Sequence, residues 1–279
     1  MDEYIEIVFP VSQQSVKDEL IAQLSIRGFE GFEEERNALK AFIRRQDLDE
    51  AELRRLSDEH QLSFTQSVIE NKNWNAEWES AFQPVVIDAF CAVRAGFHPP
   101  VPGVTYDIII TPKMSFGTGH HATTWMMVKA MAGIDFNNRP VFDFGTGTGV
   151  LAILAEKLGA REIVAIDNDD NSIENAAENL AANGCTRCRL FKSADLNGIG
   201  HFDIILANIN RNTILQNLVY IEQHLSTGGV VLLSGLLNDD QPQVIEEAKK
   251  HRLTLTGRLE KDGWICLELV KQSTREAAN

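Results

Sequence analysis

Two glycine-rich stretches hold the residues best suited to chemistry. KMSFGTGHHATT (113–124) and VFDFGTGTGV (141–150) share the tetrapeptide Phe-Gly-Thr-Gly, at 116–119 and again at 144–147. In the second copy the glycines run G-x-G-x-G over Gly145, Gly147 and Gly149, and Asp143 stands two positions before them. Glycines between a strand and a helix let the backbone turn sharply and approach a ligand closely, at the strand ends where doubly wound sheets bind theirs. A dinucleotide fingerprint needs Gly or Ala where this chain has Val150, which disfavours a nicotinamide oxidoreductase. A pyrophosphate also wants a bare helix N-terminus, and the Asp143 carboxylate is badly placed beside one. The same carboxylate suits a cationic ligand such as S-adenosylmethionine, with its ammonium and sulfonium. Asp167 closes the strand EIVAID, where a carboxylate accepts hydrogen bonds from ribose hydroxyls. A plain strand-end turn at Asp143, and a helix N-cap region at Asp167, stay open as alternatives.

The elements that must position these residues follow from periodicity. From Pro140 onward, strands and helices alternate: VFDF, helix 149–158, EIVAID, helix 170–182, CRLFKS, FDIILAN, helix 211–224, GVVLLSG, helix 240–250. Such alternation makes a parallel sheet covered on both faces. LTLTGRLE and WICLELV, joined by Lys261-Asp262-Gly263, add an antiparallel edge, for a seven-stranded doubly wound (Rossmann-like) α/β sheet. Two short strands (85–93 and 104–111) and a helix from about His121 to Met131 precede it. Residues 1–70 read differently: strand 4–10, a helix from Ser15, a hairpin around Arg36-Asn37, helix 48–60, strand 62–70. That β-α-β-β-α-β order is the ferredoxin-like α+β arrangement. Between them, Trp74 and Trp78 are four apart and share one face of a linker helix. The division is therefore 1–70 for substrate recognition, 71–84 as linker and 85–279 for ligand binding and chemistry.

Bulk composition narrows the class. The chain has 279 residues, 44% hydrophobic and 24% charged, as an ordinary folded protein has. The acidic start MDEYIEIVFP has no signal-peptide character, no apolar run approaches a membrane span, and four cysteines do not make a disulfide framework; a cytoplasmic enzyme is expected. A net charge of −14 disfavours a nonspecific nucleic-acid binder. Residues 1–70 hold 16 Asp and Glu against 8 Lys and Arg. That excess serves solubility, or docks a cationic protein. No metal is expected: His120 and His121 are adjacent and point apart, and Cys185-x-x-Cys188 lacks two further ligands.

DFGTGTGVLAILAEKLGA with IDND resembles the cofactor core of class I S-adenosylmethionine methyltransferases. KMSFGTGHHATT resembles, more narrowly, the loop-to-helix motif of the ribosomal large-subunit protein L-eleven methyltransferase (PrmA) family. That family also shows the W-x-x-x-W linker, an Ala-Asn-Ile strand end (LANIN, 206–210) and a stretch like LSGLLNDDQ (233–241). The resemblance implies S-adenosyl-L-methionine as cofactor, contacted by Thr124, Gly145, Asp167 and Asn208, with Phe116, Gly117, Asp143 and Gly147 lining the site and Asp195 near the adenine. It implies methylation of α-amino and lysine groups on protein L-eleven; a monomer with no direct nucleic-acid or membrane partner is expected from the residues themselves. Asn208 is then the catalytic residue, its amide oxygen accepting the acceptor amine's hydrogens. Asn208-Ile209-Asn210 lacks the prolines and aromatic that grip a nucleobase. A methyltransferase of another protein or a small amine is the alternative. The family has Thr and Pro where this chain has His120 and Ala122, and losing a proline there is expected to loosen the helix start.

Overall fold

The computed structural model describes residues 4–69, 82–113, 116–194 and 200–273. The chain divides into two compact units, Met1–Ala81 and Phe82–Asn279. The linker helix with Trp74 and Trp78 lies outside the described residues, as does Asp195.

In the first unit the strands are β1 (Tyr4–Phe9), β2 (Gly31–Glu35), β3 (Ala38–Arg44) and β4 (Thr65–Ile69), with helices α1 (Gln14–Ile26) and α2 (Glu50–Glu59). The sheet runs β2-β3-β1-β4, every pairing antiparallel. Strict alternation in β1 and β3 sends Ile5, Ile7, Phe9, Leu39, Ala41 and Ile43 inward, onto Leu20 and Leu24 of α1 and Leu53 and Leu56 of α2. Asp49 caps α2, accepting from the backbone N–H of Ala51 (2.9 Å) and Glu52 (3.1 Å), a contact worth about 1 kcal/mol.

The second unit opens with β5 (Val85–Ile87), β6 (Cys91–Ala95) and β7 (Tyr106–Ile110). The single strand expected over 85–93 is thus two antiparallel strands. Asp88 adopts φ +49°, and Phe90 N–H donates to Ile87 O (3.1 Å), so the chain reverses there. Helix α3 (Ala122–Met131) follows, then β8 (Pro140–Phe144), α4 (Val150–Lys157), β9 (Glu162–Asp167), α5 (Asp170–Ala182), β10 (Cys188–Lys192), β11 (Phe202–Asn208), α6 (Arg211–His224), β12 (Leu225–Leu237), α7 (Gln241–Lys250), β13 (Leu253–Lys261) and β14 (Trp264–Lys271).

Strands β5, β6 and β7 form a small sheet of their own, and β8 to β14 form the large one, ordered β10-β9-β8-β11-β12-β14-β13. The first five pair in parallel, and β14 runs antiparallel to β12 and β13. Asp262 (φ +52°) and Gly263 (φ +80°) make the closing turn. Side-chain alternation feeds two cores. Val141, Ile163, Ile204 and Leu206 meet Met127 of α3 and Ile153 of α4; Phe142, Val164, Ile205 and Ala207 meet Leu218 of α6 and Val244 of α7. Helices on both faces leave the strand ends as the open surface. Cys185 and Cys188 pack against the first core, and burial pushes their thiols up to about 11 and about 12. Both stay protonated at neutral pH.

Candidate functional site

A cleft of about 330 Å³ opens at the carboxyl ends of β8, β9, β10 and β11, beside the point where strand order reverses between β8 and β11. Its walls include Phe116, Gly145, Gly147, Asp167 and Asn208, five of the residues singled out from the sequence.

The floor is the turn after β8. Gly145, Gly147 and Gly149 all take positive φ (+75°, +55° and +79°), which L-residues with a Cβ adopt at a cost. Space is equally restrictive. A Cβ on Gly145 would come within 2.4 Å of Ile209 Cγ2, and one on Gly147 within 2.3 Å of Phe116 O. The amides of Gly145 and Thr146 both donate to Ile166 O (2.9 Å each), tying the turn to β9.

Asp167 holds the turn from the side. Its Oδ2 accepts from Gly147 N–H (2.9 Å) and its Oδ1 from Asp169 N–H (3.1 Å). Each oxygen keeps a lone pair for a ligand hydroxyl. The cap of α5 belongs to the next acid, Asp169, which accepts from Ser172 N–H (2.9 Å) and whose carboxyl that bond lowers.

Asp143 is not on the wall, and this corrects the expectation for it. It is fully buried beneath the turn, where Thr146 Oγ1 donates to its Oδ2 (2.6 Å). Burial pushes its carboxyl up to about 7, with the nearby Asp167 adding to the rise. An acid sealed under the floor, with burial disfavouring its charge, is no fixed counter-charge for a cation in the cleft. The carboxylate that faces the cleft is Asp167. Gly117 also lies behind the wall, against Thr148.

Asn208 ends β11. Its Nδ2 donates to Thr124 Oγ1 (3.2 Å), while its Oδ1 is buried and without a partner. Among the described residues, Asp143 Oδ1 is the other such oxygen. A buried acceptor left unpaired costs about 1–3 kcal/mol unless a ligand supplies the donor. Thr124 is fully buried on α3 and reaches the site through Asn208.

The two departures in HHATT, His120 and Ala122, flank His121 at the start of α3. His121 Nδ1 accepts from Thr123 N–H (3.3 Å), so a histidine caps α3 at the expected loose start. Its ring packs edge-on to Phe116 (5.2 Å) and Trp264 (4.8 Å). His120 Nε2 donates to Gln83 O (2.9 Å), and its ring meets Phe82 at 4.6 Å.

Sequence reasoning missed Phe144, Asn168, Ser172, Ser193, Ala194, Ile209, Asn210 and Thr213, which complete the described lining. All but Ser172 and Thr213 lie at a strand end or within two residues after one, and that position was the available signal. Asn210 also showed a cap pattern, and its Oδ1 accepts from Thr213 N–H (3.0 Å).

Comparison with known proteins gives the same direction. The family model described as ribosomal protein L11 methyltransferase (PrmA) matches residues 7–272. A ribosomal protein L11 methyltransferase of Bacteroides fragilis is 36% identical over 277 residues, covering 96% of this chain and 99% of that one. One of Chlorobaculum tepidum is 38% identical over 275 residues, covering 94% of each. The crystal structure of a ribosomal protein L11 methylase from Lactobacillus delbrueckii subsp. bulgaricus superposes with a TM-score of 0.63 at 28% identity, covering 69% of this chain and 99% of that one.

Proposed function

The chain belongs to the ribosomal protein L11 methyltransferase (PrmA) family, and from that premise we propose that it transfers methyl groups from S-adenosylmethionine to amino groups of ribosomal protein L11, both α-amino and lysine. The observation that carries this reading is Asn208: a buried, unpartnered amide oxygen at the cleft, with its Nδ2 engaged by Thr124.

The cleft residues fit the cofactor. The volume of about 330 Å³ lies in the range of small-molecule sites, ~300–1,000 Å³. The bare Cα atoms of Gly145 and Gly147 admit close approach, Asp167 offers lone pairs to ribose hydroxyls, and Phe116, Thr124 and Asn208 complete the set. Gly117 and Asp143 support the turn from behind, and Asp195 stays assigned to the adenine side. When bound, the cofactor supplies a methyl carbon activated by its sulfonium. The chain's part is to present an amine with a free lone pair. A lysine ammonium (~10.4) has none until it loses a proton, and a low-dielectric cleft lowers that value. Asn208 Oδ1 accepts a hydrogen of the neutral amine and so aims its lone pair at the methyl carbon. A carboxylate there would favour the ammonium instead; the amide does not.

The acidic first unit is read as the ferredoxin-like module that recognises the basic substrate, with 71–84 as linker and 85–279 as a seven-stranded doubly wound methyltransferase domain. The strand order β2-β3-β1-β4 supports the first, and the order of the large sheet supports the second. The chain acts as a monomer in the cytoplasm on protein, not on nucleic acid or membrane; no described helix is long and apolar enough to cross a membrane.

Incubation of purified L11 with the chain and methyl-labelled cofactor, followed by peptide mass spectrometry, tests the proposal. Label on L11 amines is expected, and Asn208→Ala should lower kcat by about 100-fold or more, well beyond its loss in cofactor binding. Label on other proteins or small amines with L11 left bare would favour the alternative acceptor.

A further inference from the structure

The first Phe-Gly-Thr-Gly copy is bonded to Thr148, the residue that follows the second. Thr148 N–H donates to Phe116 O (3.0 Å), and Thr148 Oγ1 donates to Gly117 O (2.8 Å). Thr148 is wholly buried. The fit is close on both sides: a Cβ on Gly117, at φ +111°, would meet Thr148 Oγ1 at 2.7 Å, and a Cβ on Gly147 would meet Phe116 O at 2.3 Å. Phe116 itself is half exposed and forms part of the cleft wall.

Thr148 is fixed in turn by an asparagine ladder. Asn175, Asn179 and Asn183 recur every four residues along α5 and its C-cap, so they share one face. Asn179 Nδ2 donates to Thr148 O (2.8 Å), and Asn179 Oδ1 accepts from Thr111 N–H (2.7 Å). Asn175 donates to Thr111 O (3.0 Å), and Asn183 exchanges two bonds with Ile109 (3.0 and 2.6 Å). One side chain therefore ties the segment after β7 to the turn after β8. Asn175 and Asn179 are fully buried, so these bonds meet no competition from water.

We propose that Thr148 is a positioning residue for the methyl-transfer reaction: its amide and hydroxyl clamp Phe116–Gly117 onto the glycine turn and so set the aromatic wall of the cofactor cleft. The inference rests on the reading of the cleft as the S-adenosylmethionine site. The hydroxyl is the part that matters beyond packing, because Val has nearly the same shape and cannot donate.

Calorimetric titration with S-adenosylhomocysteine, melting temperature and steady-state kinetics on the full chain test this with Thr148→Val, Thr148→Ser and Gly117→Ala. Thr148→Val should weaken binding about tenfold, and Thr148→Ser, which keeps the donor, should stay within about threefold. Gly117→Ala, which displaces the clamp from the other side, should weaken binding as Thr148→Val does. A purely structural Thr148 lowers the melting temperature but leaves binding unchanged well below it, and that result overturns the clamp. So does Thr148→Ser falling as far as Thr148→Val. If Thr148→Val does not fold, unchanged binding by Gly117→Ala overturns it alone. Wild-type chain that binds no S-adenosylhomocysteine overturns the cofactor reading and the clamp together.

Discussion

At the residue scale, the cleft separates two acids that the sequence presents as a pair. Asp167 faces the ligand space and Asp143 lies beneath it, with a carboxyl pushed by burial to about 7. An unfolded aspartate titrates near ~3.9, so between those values the folded chain holds a proton that the unfolded chain has lost. The stability from that proton is complete below pH ~4 and is lost as pH rises through about 7. Asp143→Asn cannot titrate, and its amide oxygen can still accept from Thr146 Oγ1. Thermal unfolding across pH 4–8 should therefore show wild type losing stability relative to Asp143→Asn, by on the order of a few kcal/mol. Parallel curves would mean that Asp143 keeps an ordinary carboxyl.

At the element scale, close backbone approaches set the site, and one of them lies outside both glycine-rich motifs. Gly235 sits in β12 at φ +84°, where the register against β14 shifts between Ser234 and Leu236. A Cβ there would come within 2.2 Å of Ile209 O, a backbone atom that cannot rotate away. Ile209 lines the cleft and follows Asn208. Gly235→Ala should cost at least about 2 kcal/mol in denaturant unfolding and weaken cofactor binding as well. Gly228 and Gly263 also have positive φ but open space around the absent Cβ. Alanine at either should cost less, which makes them internal controls for the steric part.

At the scale of the whole molecule, charge is unevenly distributed. The excess of acids over 1–70 supports docking of a basic substrate, whereas among the described residues that line the cleft of the second unit Asp167 is the charged one. Screening should separate the two. Raising salt from ~0.05 to ~0.3 M should raise KM for L11 several-fold and leave S-adenosylhomocysteine affinity nearly unchanged. A salt-independent KM would remove charge from the recognition of substrate.

Much of this protein was readable from local pattern. Strand-helix alternation marked the large sheet, glycine spacing marked the turn that floors the cleft, and FGTGHHATT with LANIN carried the family, because period and turn chemistry are set by neighbours in the chain. The strand over 85–93 was misread because an exposed reversal at Asp88 and Ala89 interrupts an otherwise apolar run without a Gly or Pro. What tertiary structure alone decided is depth and partnership. Asp143 and Asp167 look alike in sequence, yet one is sealed under the turn. Asn175, Asn179 and Asn183 read as ordinary polar helix residues until β7 brings its edge to them. The repeat of Phe-Gly-Thr-Gly was visible at once, but only folding could place Thr148, the residue after one copy, against Phe116 and Gly117 of the other. A hydrogen bond across 31 residues has no local signature.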